Sequence, residues 1–168
     1  AWGPRPVDFH LMALEKLGAK IELEKGYIVA KSNNLVGTKI KFKYPSVGAT
    51  GNTLMAASMA SGTTIINNSS CEPEIVQLCE FLNSMGAKIS GFGTKNITID
   101  GVKSLTARDI EVIPDRIEAG TFLIAGAVLG QITLTDINES HLNEVIKSLR
   151  EVGCSFRLSE KSITIFPS

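Results

Sequence analysis

One pattern occurs three times in this chain: LEKLGAKIELEKGYIVA, FLNSMGAKISGFGTKNITI and LREVGCSFRLSEKSITI. The glycines of the three copies, Gly18, Gly86 and Gly153, stand 68 and 67 residues apart. A period this long and regular marks a unit of construction. Chance recurrence of a common Leu-x-x-Gly helix end would repeat the glycine but not its flanks, and here the flanks repeat as well. Each copy predicts an amphipathic helix stopping on glycine, then two short β-branched strands. Glycine suits a left-handed helix cap, because without a Cβ a positive φ costs little.

A second register fills the space between those glycines. Gly62-Thr-Thr-Ile-Ile-Asn and Gly130-Gln-Ile-Thr-Leu-Thr are 68 apart, and each enters a strand after an alanine-rich stretch. The composition of those stretches predicts helices over 49–60 and 116–129, small-surfaced enough for close packing. Pro45 and Pro114, 69 apart, stand where a strand must end and turn. Pro114 or Asp115 begins the later helix, as a first-turn proline or an acceptor for orphan amides. Adding strands near 39–43 and 110–113 makes the full unit β-α-β-α-β-β. The first copy lacks its front half and runs straight into its helix near 9–17. The fold expected is therefore α/β (α+β), incomplete, with alanine-rich helices inside and weakly alternating strands outside. Residues 1–43 hold the partial repeat, 44–112 the full one, and 113–168 the next. The stretch 101–113 is the crossing between them and not a loose linker.

With 43% hydrophobic and 20% charged residues, the chain can bury a core. Lys plus Arg and Asp plus Glu both number 17, so bulk charge attracts neither nucleic acid nor an acidic membrane surface. Local chemistry must hold any anionic ligand. No run approaches the roughly 18 apolar residues of a membrane span, and no signal peptide opens the chain, so a soluble cytoplasmic protein is expected. Cys71, Cys79 and Cys154 lack metal-site spacing and read as reduced thiols, two of them on helices. No metal or cofactor is expected.

Four strings carry chemistry. Arg5-Pro6-Val7-Asp8-Phe9-His10 puts a cation, a carboxylate and an imidazole at a helix start. In the plainer reading Asp8 caps that helix, Arg5 is a surface charge and His10 satisfies a backbone carbonyl. Pro45-Ser46-Val47-Gly48-Ala49-Thr50-Gly51-Asn52 gathers hydroxyls and amides where a phosphate or carboxylate can bind, though such caps also serve helices alone. Cys71-Glu72-Pro73-Glu74-Ile75 opens another helix, and acids in a first turn already suit the helix dipole. Ile113-Pro114-Asp115-Arg116-Ile117-Glu118-Ala119-Gly120-Thr121-Phe122 supplies a charged helix entrance.

Taken together, RPVDFH, PSVGAT, EPEI, FLNSMGAKISGFGT and IPDRIEAGTF resemble the bacterial UDP-N-acetylglucosamine enolpyruvyltransferase (1-carboxyvinyltransferase) family, related to the EPSP synthases, over essentially all 168 residues. The resemblance implies an inside-out α/β barrel of two lobes, each of three β-α-β-α-β-β units, with this chain a central portion. Residues 1–112 would belong to one lobe and 113–168 would begin the other. It implies transfer of the enolpyruvyl group of phosphoenolpyruvate to the 3-hydroxyl of UDP-N-acetylglucosamine, releasing phosphate, for peptidoglycan synthesis. The partners implied are those two substrates and the N- and C-terminal parts of the same enzyme.

By the same resemblance, Arg5 is a catalytic-loop arginine that reaches phosphate groups. Pro6, Val7 and Asp8 line the uridine and diphosphate site, and Ser46, Val47 and Gly48 form its other wall. Glu72 is an acid near the reaction centre. Asp115 and Arg116 mark the crossing between lobes, where an ion pair would influence opening. The family's loop cysteine would precede Ala1, and its hydroxyl-activating aspartate and carboxylate-clamping arginines would follow residue 168. Cys71, Cys79 and Cys154 match none of those positions. Gly51 stands where the family has Glu, and Cys71 where it has Arg, which removes a five-donor cation. The expectation is an active full-length enzyme and an inactive isolated chain. A diverged UDP-sugar-binding relative and a purely structural repeat module are the alternatives.

Overall fold

The computed structural model describes residues 6–168, which divide into two compact units with the boundary between Ile110 and Glu111. In the first unit, α1 (Asp8–Lys16) leads into the antiparallel pair β1 (Lys20–Glu24) and β2 (Tyr27–Lys31). Their two-residue turn, Lys25-Gly26, has positive φ at both positions, the twist that lets neighbouring strands close tightly. The repeat then runs β3 (Lys39–Lys41), α2 (Val47–Ala57), β4 (Thr63–Asn67), α3 (Pro73–Ser84), β5 (Lys88–Ser90) and β6 (Asn96–Asp100). The strands form one sheet in the order β3-β4-β6-β5. Strand β3 runs parallel to β4 across the α2 connection, and the remaining pairs are antiparallel.

The three repeat glycines share one conformation for one reason. Gly18, Gly86 and Gly153 have φ of 101°, 105° and 98°. In each copy the glycine N–H donates to a carbonyl three residues back, and the next N–H donates to one five back: Glu15 and Leu14, Asn83 and Leu82, Arg150 and Leu149. This double closure satisfies carbonyls that the last helical turn leaves open.

Alternation builds the core face of the sheet. Ile97 and Ile99 on β6 and Thr64 and Ile66 on β4 are buried, and the register sets Ile66 opposite Ile97 and Ile99 opposite Ile89. Against this face α2 buries Ala49, Thr50, Leu54 and Ala57, with α1 and α3 on its flanks. The small side chains of α2 permit that approach from several sides, which is why a helix of such composition lies inside.

The second unit follows the same plan with α4 (Arg116–Leu129), β7 (Ile132–Thr135), a short 3-10 turn, α5 (Asn143–Glu151), β8 (Ser155–Ser159) and β9 (Ser162–Phe166), in sheet order β7-β9-β8. Leu123, Leu142, Ile146, Ile163 and Ile165 make its core. Gly126 brings α4 so close to the sheet that a Cβ there would sit 2.5 Å from Ile165.

Three expectations are corrected. The strand expected over 110–113 is irregular backbone. The preceding stretch is held by hydrogen bonds within the first unit, Gly101 N–H to Gly62, Val102 N–H to Ser58 and Thr106 N–H to Met85. Residues so anchored are not extended along a strand edge. The helix expected over 49–60 begins earlier and ends earlier, because the Ser46 hydroxyl accepts the Ala49 N–H and starts it at Val47. Of the cysteines only Cys79 is helical; Cys71 and Cys154 lie in connections.

Candidate functional site

The described part of the RPVDFH string starts α1, and Arg5 lies outside the described residues. Pro6 and Val7 are exposed. Asp8 is the first helical residue and does not cap the helix; Val7 holds that position without a side-chain bond. Being one place late for capping, the Asp8 carboxylate instead sits in the first turn, where the helix dipole favours negative charge.

His10 joins this helix to the next. The Asn52 amide Nδ2 lies 2.8 Å from His10 Nδ1, so the imidazole bonds a side chain and not the backbone carbonyl expected for it. An amide N–H donating there leaves the ring proton on the other nitrogen. Gly48 makes room for the ring, since a Cβ would come within 3.1 Å of His10 Cε1. Phe9 stacks on buried Phe42 at 5.6 Å between centroids and meets Tyr44 at 4.6 Å. The starts of α1 and α2 therefore lie together at one end of the first unit, and Val7–Asp8 and Ser46–Gly48 with them. Each start carries backbone N–H groups without helical partners, which gives that end a positive potential toward anions.

A second loop is fastened to the first turns of α2. The Ser70 N–H donates to Thr50 Oγ1 at 3.1 Å, and the Asn68 amide donates to the Phe42 carbonyl at 3.1 Å. Ser69 reaches the third loop, its hydroxyl donating to the Thr94 carbonyl at 2.9 Å and its N–H to the Lys95 carbonyl at 3.1 Å. Glu72 is the residue before α3, its carboxylate accepts a short hydrogen bond from the Ser70 hydroxyl, and Pro73 fills the first helical position. Pro45, Ser69, Cys71, Glu72 and Lys95 enclose a shallow cavity of about 330 Å³ beside the start of α2. Lys95 is the cation of this cavity, and nothing in the motif strings singled it out. It follows a turn and precedes β6, where a lysine ordinarily reads as a solvated charge.

Gly51 does not face that cavity. Its missing side chain points at Leu78 and Ile75 of α3, with 3.5 and 3.8 Å from a built Cβ.

In the second unit Asp115 does begin a helix: its Oδ1 accepts from the N–H groups of Ile117 at 2.8 Å and Glu118 at 3.2 Å. Arg116 is the first residue of α4 and is half-buried. A cavity of about 430 Å³ lies beside this start, with Asp115, Glu118, Asp136 and Thr133 among its lining. It is larger than the one near Lys95, but its charged lining is carboxylate, which repels phosphate. Among the described residues no group of three or more His, Cys, Asp or Glu is placed to hold a metal ion. No helix among them is long and apolar enough to cross a membrane.

The thiols differ in access. Cys71 is exposed, while Cys79 and Cys154 are buried. Burial, with a smaller contribution from the Glu80 charge, pushes the Cys79 thiol up to about 12. Folding thus favours the protonated thiol. Its contribution to stability is intact below the unfolded thiol's ordinary value and erodes as pH rises from there toward about 12. The expected result with iodoacetamide at pH 8 is rapid modification of Cys71 alone, with Cys79 and Cys154 reacting after denaturation; intact mass and peptide mapping read it. Rapid native labelling of Cys79 would contradict the packing of α3.

The family model for EPSP synthase (3-phosphoshikimate 1-carboxyvinyltransferase) matches residues 1–167. The chain is 54% identical over 168 residues to a UDP-N-acetylglucosamine 1-carboxyvinyltransferase of Chloroherpeton thalassium, covering 98% of this chain and 39% of that protein. It is 51% identical over 168 residues to the protein of the same description from Prosthecochloris aestuarii, covering 98% and 40%. The chain thus spans about two-fifths of the length of these relatives. The solved enolpyruvyl transferase NikO from Streptomyces tendae superposes with a TM-score of 0.85 at 21% identity, covering 99% of this chain and 43% of that one. At that identity the likeness concerns the fold, which is the enolpyruvyltransferase type built here from incomplete repeat units.

Proposed function

We propose that this chain, which belongs to the EPSP synthase family of carboxyvinyltransferases, is part of an enzyme that transfers the enolpyruvyl group of phosphoenolpyruvate to the 3-hydroxyl of UDP-N-acetylglucosamine. The observation that carries the reading is the 54% identity, over 98% of the chain, to a UDP-N-acetylglucosamine 1-carboxyvinyltransferase. The convergence of two helix starts at one end of the first unit supports it, because both substrates are anionic and the chain has no net charge to attract them.

In the reaction the sugar hydroxyl loses its proton as its oxygen bonds to C2 of phosphoenolpyruvate, while C3 gains a proton. The adduct then loses a C3 proton and the C2–O bond to phosphate, leaving the vinyl ether and inorganic phosphate. Groups already oriented for the anions lower the cost of assembling two reactants in one geometry. In this reading Arg5 reaches the phosphate groups, Pro6, Val7 and Asp8 form one wall of the uridine and diphosphate site, and Ser46, Val47 and Gly48 form the other. Glu72 stands near the reaction centre as an acid. Residues 1–112 belong to the first lobe and 113–168 begin the second, with Asp115 and Arg116 at the crossing. The enzyme works in the cytoplasm on a peptidoglycan precursor.

The orientation of Gly51 bears on the alternative of a non-catalytic relative. A position that faces Ile75 and Leu78 is part of a helix seam, so glycine there does not by itself remove a group from the cavity. The test is phosphate release by the full-length gene product, dependent on both substrates. Release only with both supports transfer; uridine-nucleotide binding without release supports the diverged binder; neither supports a structural module. The 168-residue chain alone is expected to show no turnover.

A further inference from the structure

We propose that Lys95 is a substrate-positioning residue whose ammonium holds a phosphate group in the cavity formed with Pro45, Ser69, Cys71 and Glu72. The inference rests on the enolpyruvyl-transfer reading and adds a residue to it. Three observations carry it.

The cavity adjoins the start of α2 through Pro45, next to Ser46, whose hydroxyl already serves the helix. A phosphate placed there needs a countercharge from the lining. Lys95 is the cation that lines the cavity.

The backbone of Lys95 is fixed although its side chain is exposed. Its carbonyl accepts from Ser69, the Thr94 carbonyl accepts from the Ser69 hydroxyl, and the Thr94 hydroxyl donates to the Gly91 carbonyl at 2.7 Å. Asn96, the next residue, accepts from the Asn67 amide at 2.7 Å. The lysine stem is therefore presented from a rigid base at the rim of the cavity, which limits the entropy lost when the ammonium engages a ligand.

The local charge is compatible with it. Glu72 brings a carboxylate into the same small cavity, and its hydrogen bond goes to the Ser70 hydroxyl. Among the described residues no ion pair joins Lys95 to that carboxylate or to another. The ammonium is thus available to an incoming anion. Without it, a phosphate would meet Glu72 with no compensating charge in the lining.

The test uses the full-length gene product and three variants, Lys95→Gln, Lys95→Glu and Lys95→Arg, with KM measured separately for UDP-N-acetylglucosamine and phosphoenolpyruvate. Lys95→Gln is expected to raise one KM about tenfold, as loss of one charge-assisted contact does, with kcat within about threefold. Lys95→Glu is expected to raise the same KM further, and Lys95→Arg to keep it within about threefold of the parent, since the charge remains. A rise for the sugar nucleotide identifies its diphosphate as the group held; a rise for phosphoenolpyruvate identifies that phosphate. A merely structural lysine would lower the thermal midpoint and kcat together without rescue by arginine. Either that pattern, or KM values for both substrates within about twofold of the parent in all three variants, overturns the proposal while the transfer reading stands. If the parent protein transfers nothing, the transfer reading fails and takes the proposal with it.

Discussion

Phe42→Ala is expected to speed thiol labelling of Cys79 by a hundredfold to a few thousandfold. Phe42 is fully buried in the same cluster as Cys79, Leu17, Ile40, Leu54 and Ile97. Truncating a buried phenylalanine costs about 3–5 kcal/mol, because transfer free energy is lost and a cavity remains. If labelling needs opening of the core, each 1.4 kcal/mol multiplies the rate by about ten. The ring also supports Phe9, which packs on Tyr44, so its loss loosens the start of α1 where Asp8 and His10 lie. Labelling of Cys79 in the variant within about fivefold of the parent rate would contradict a core organised around Phe42.

Gly101→Ala is the second large effect, and its cause is contact and not cavity. A Cβ at residue 101 would overlap the Ala60 carbonyl group. The backbone cannot readily yield, since the Gly101 N–H donates to Gly62 at 3.0 Å and the Val102 N–H to Ser58 at 2.9 Å. Overpacking of this kind costs about 1–3 kcal/mol or more, and urea unfolding should show it as a lowered midpoint. Gly51→Ala is the contrast. Its Cβ meets only ordinary contacts with Leu78 and Ile75, and alanine in a helix interior is better than glycine by roughly 0.5–1 kcal/mol. Gly101→Ala should thus destabilise and Gly51→Ala stabilise; the same sign for both would contradict the packing around one of them.

The repeat was legible because its signals are local. A glycine after an amphipathic helix determines its own cap, so Gly18, Gly86 and Gly153 announced the three helix ends from sequence alone. The span of α4 was equally readable, since Asp115 begins it and Gly130 follows it. What failed depended on distant partners. A strand over 110–113 requires an adjacent edge, and its β-branched residues say nothing of whether one is within reach. Asp8 has the residue type of a cap but stands one place inside the helix, and His10 chose Asn52, 42 residues away. Lys95 belongs to none of the four chemical strings, and it lines one cavity with Glu72 because Ser69 ties two loops together. The strings at the starts of α1 and α2 could be read along the chain, while the pairing of Lys95 with Glu72 in one cavity required the fold.

The most direct measurement is product identification by mass spectrometry. The full-length gene product would be given phosphoenolpyruvate with an equal mixture of UDP-N-acetylglucosamine and 3-phosphoshikimate. The expected product is the enolpyruvyl ether of the sugar nucleotide, with stoichiometric phosphate. Enolpyruvylated shikimate phosphate alone, or no vinyl ether at all, would contradict it.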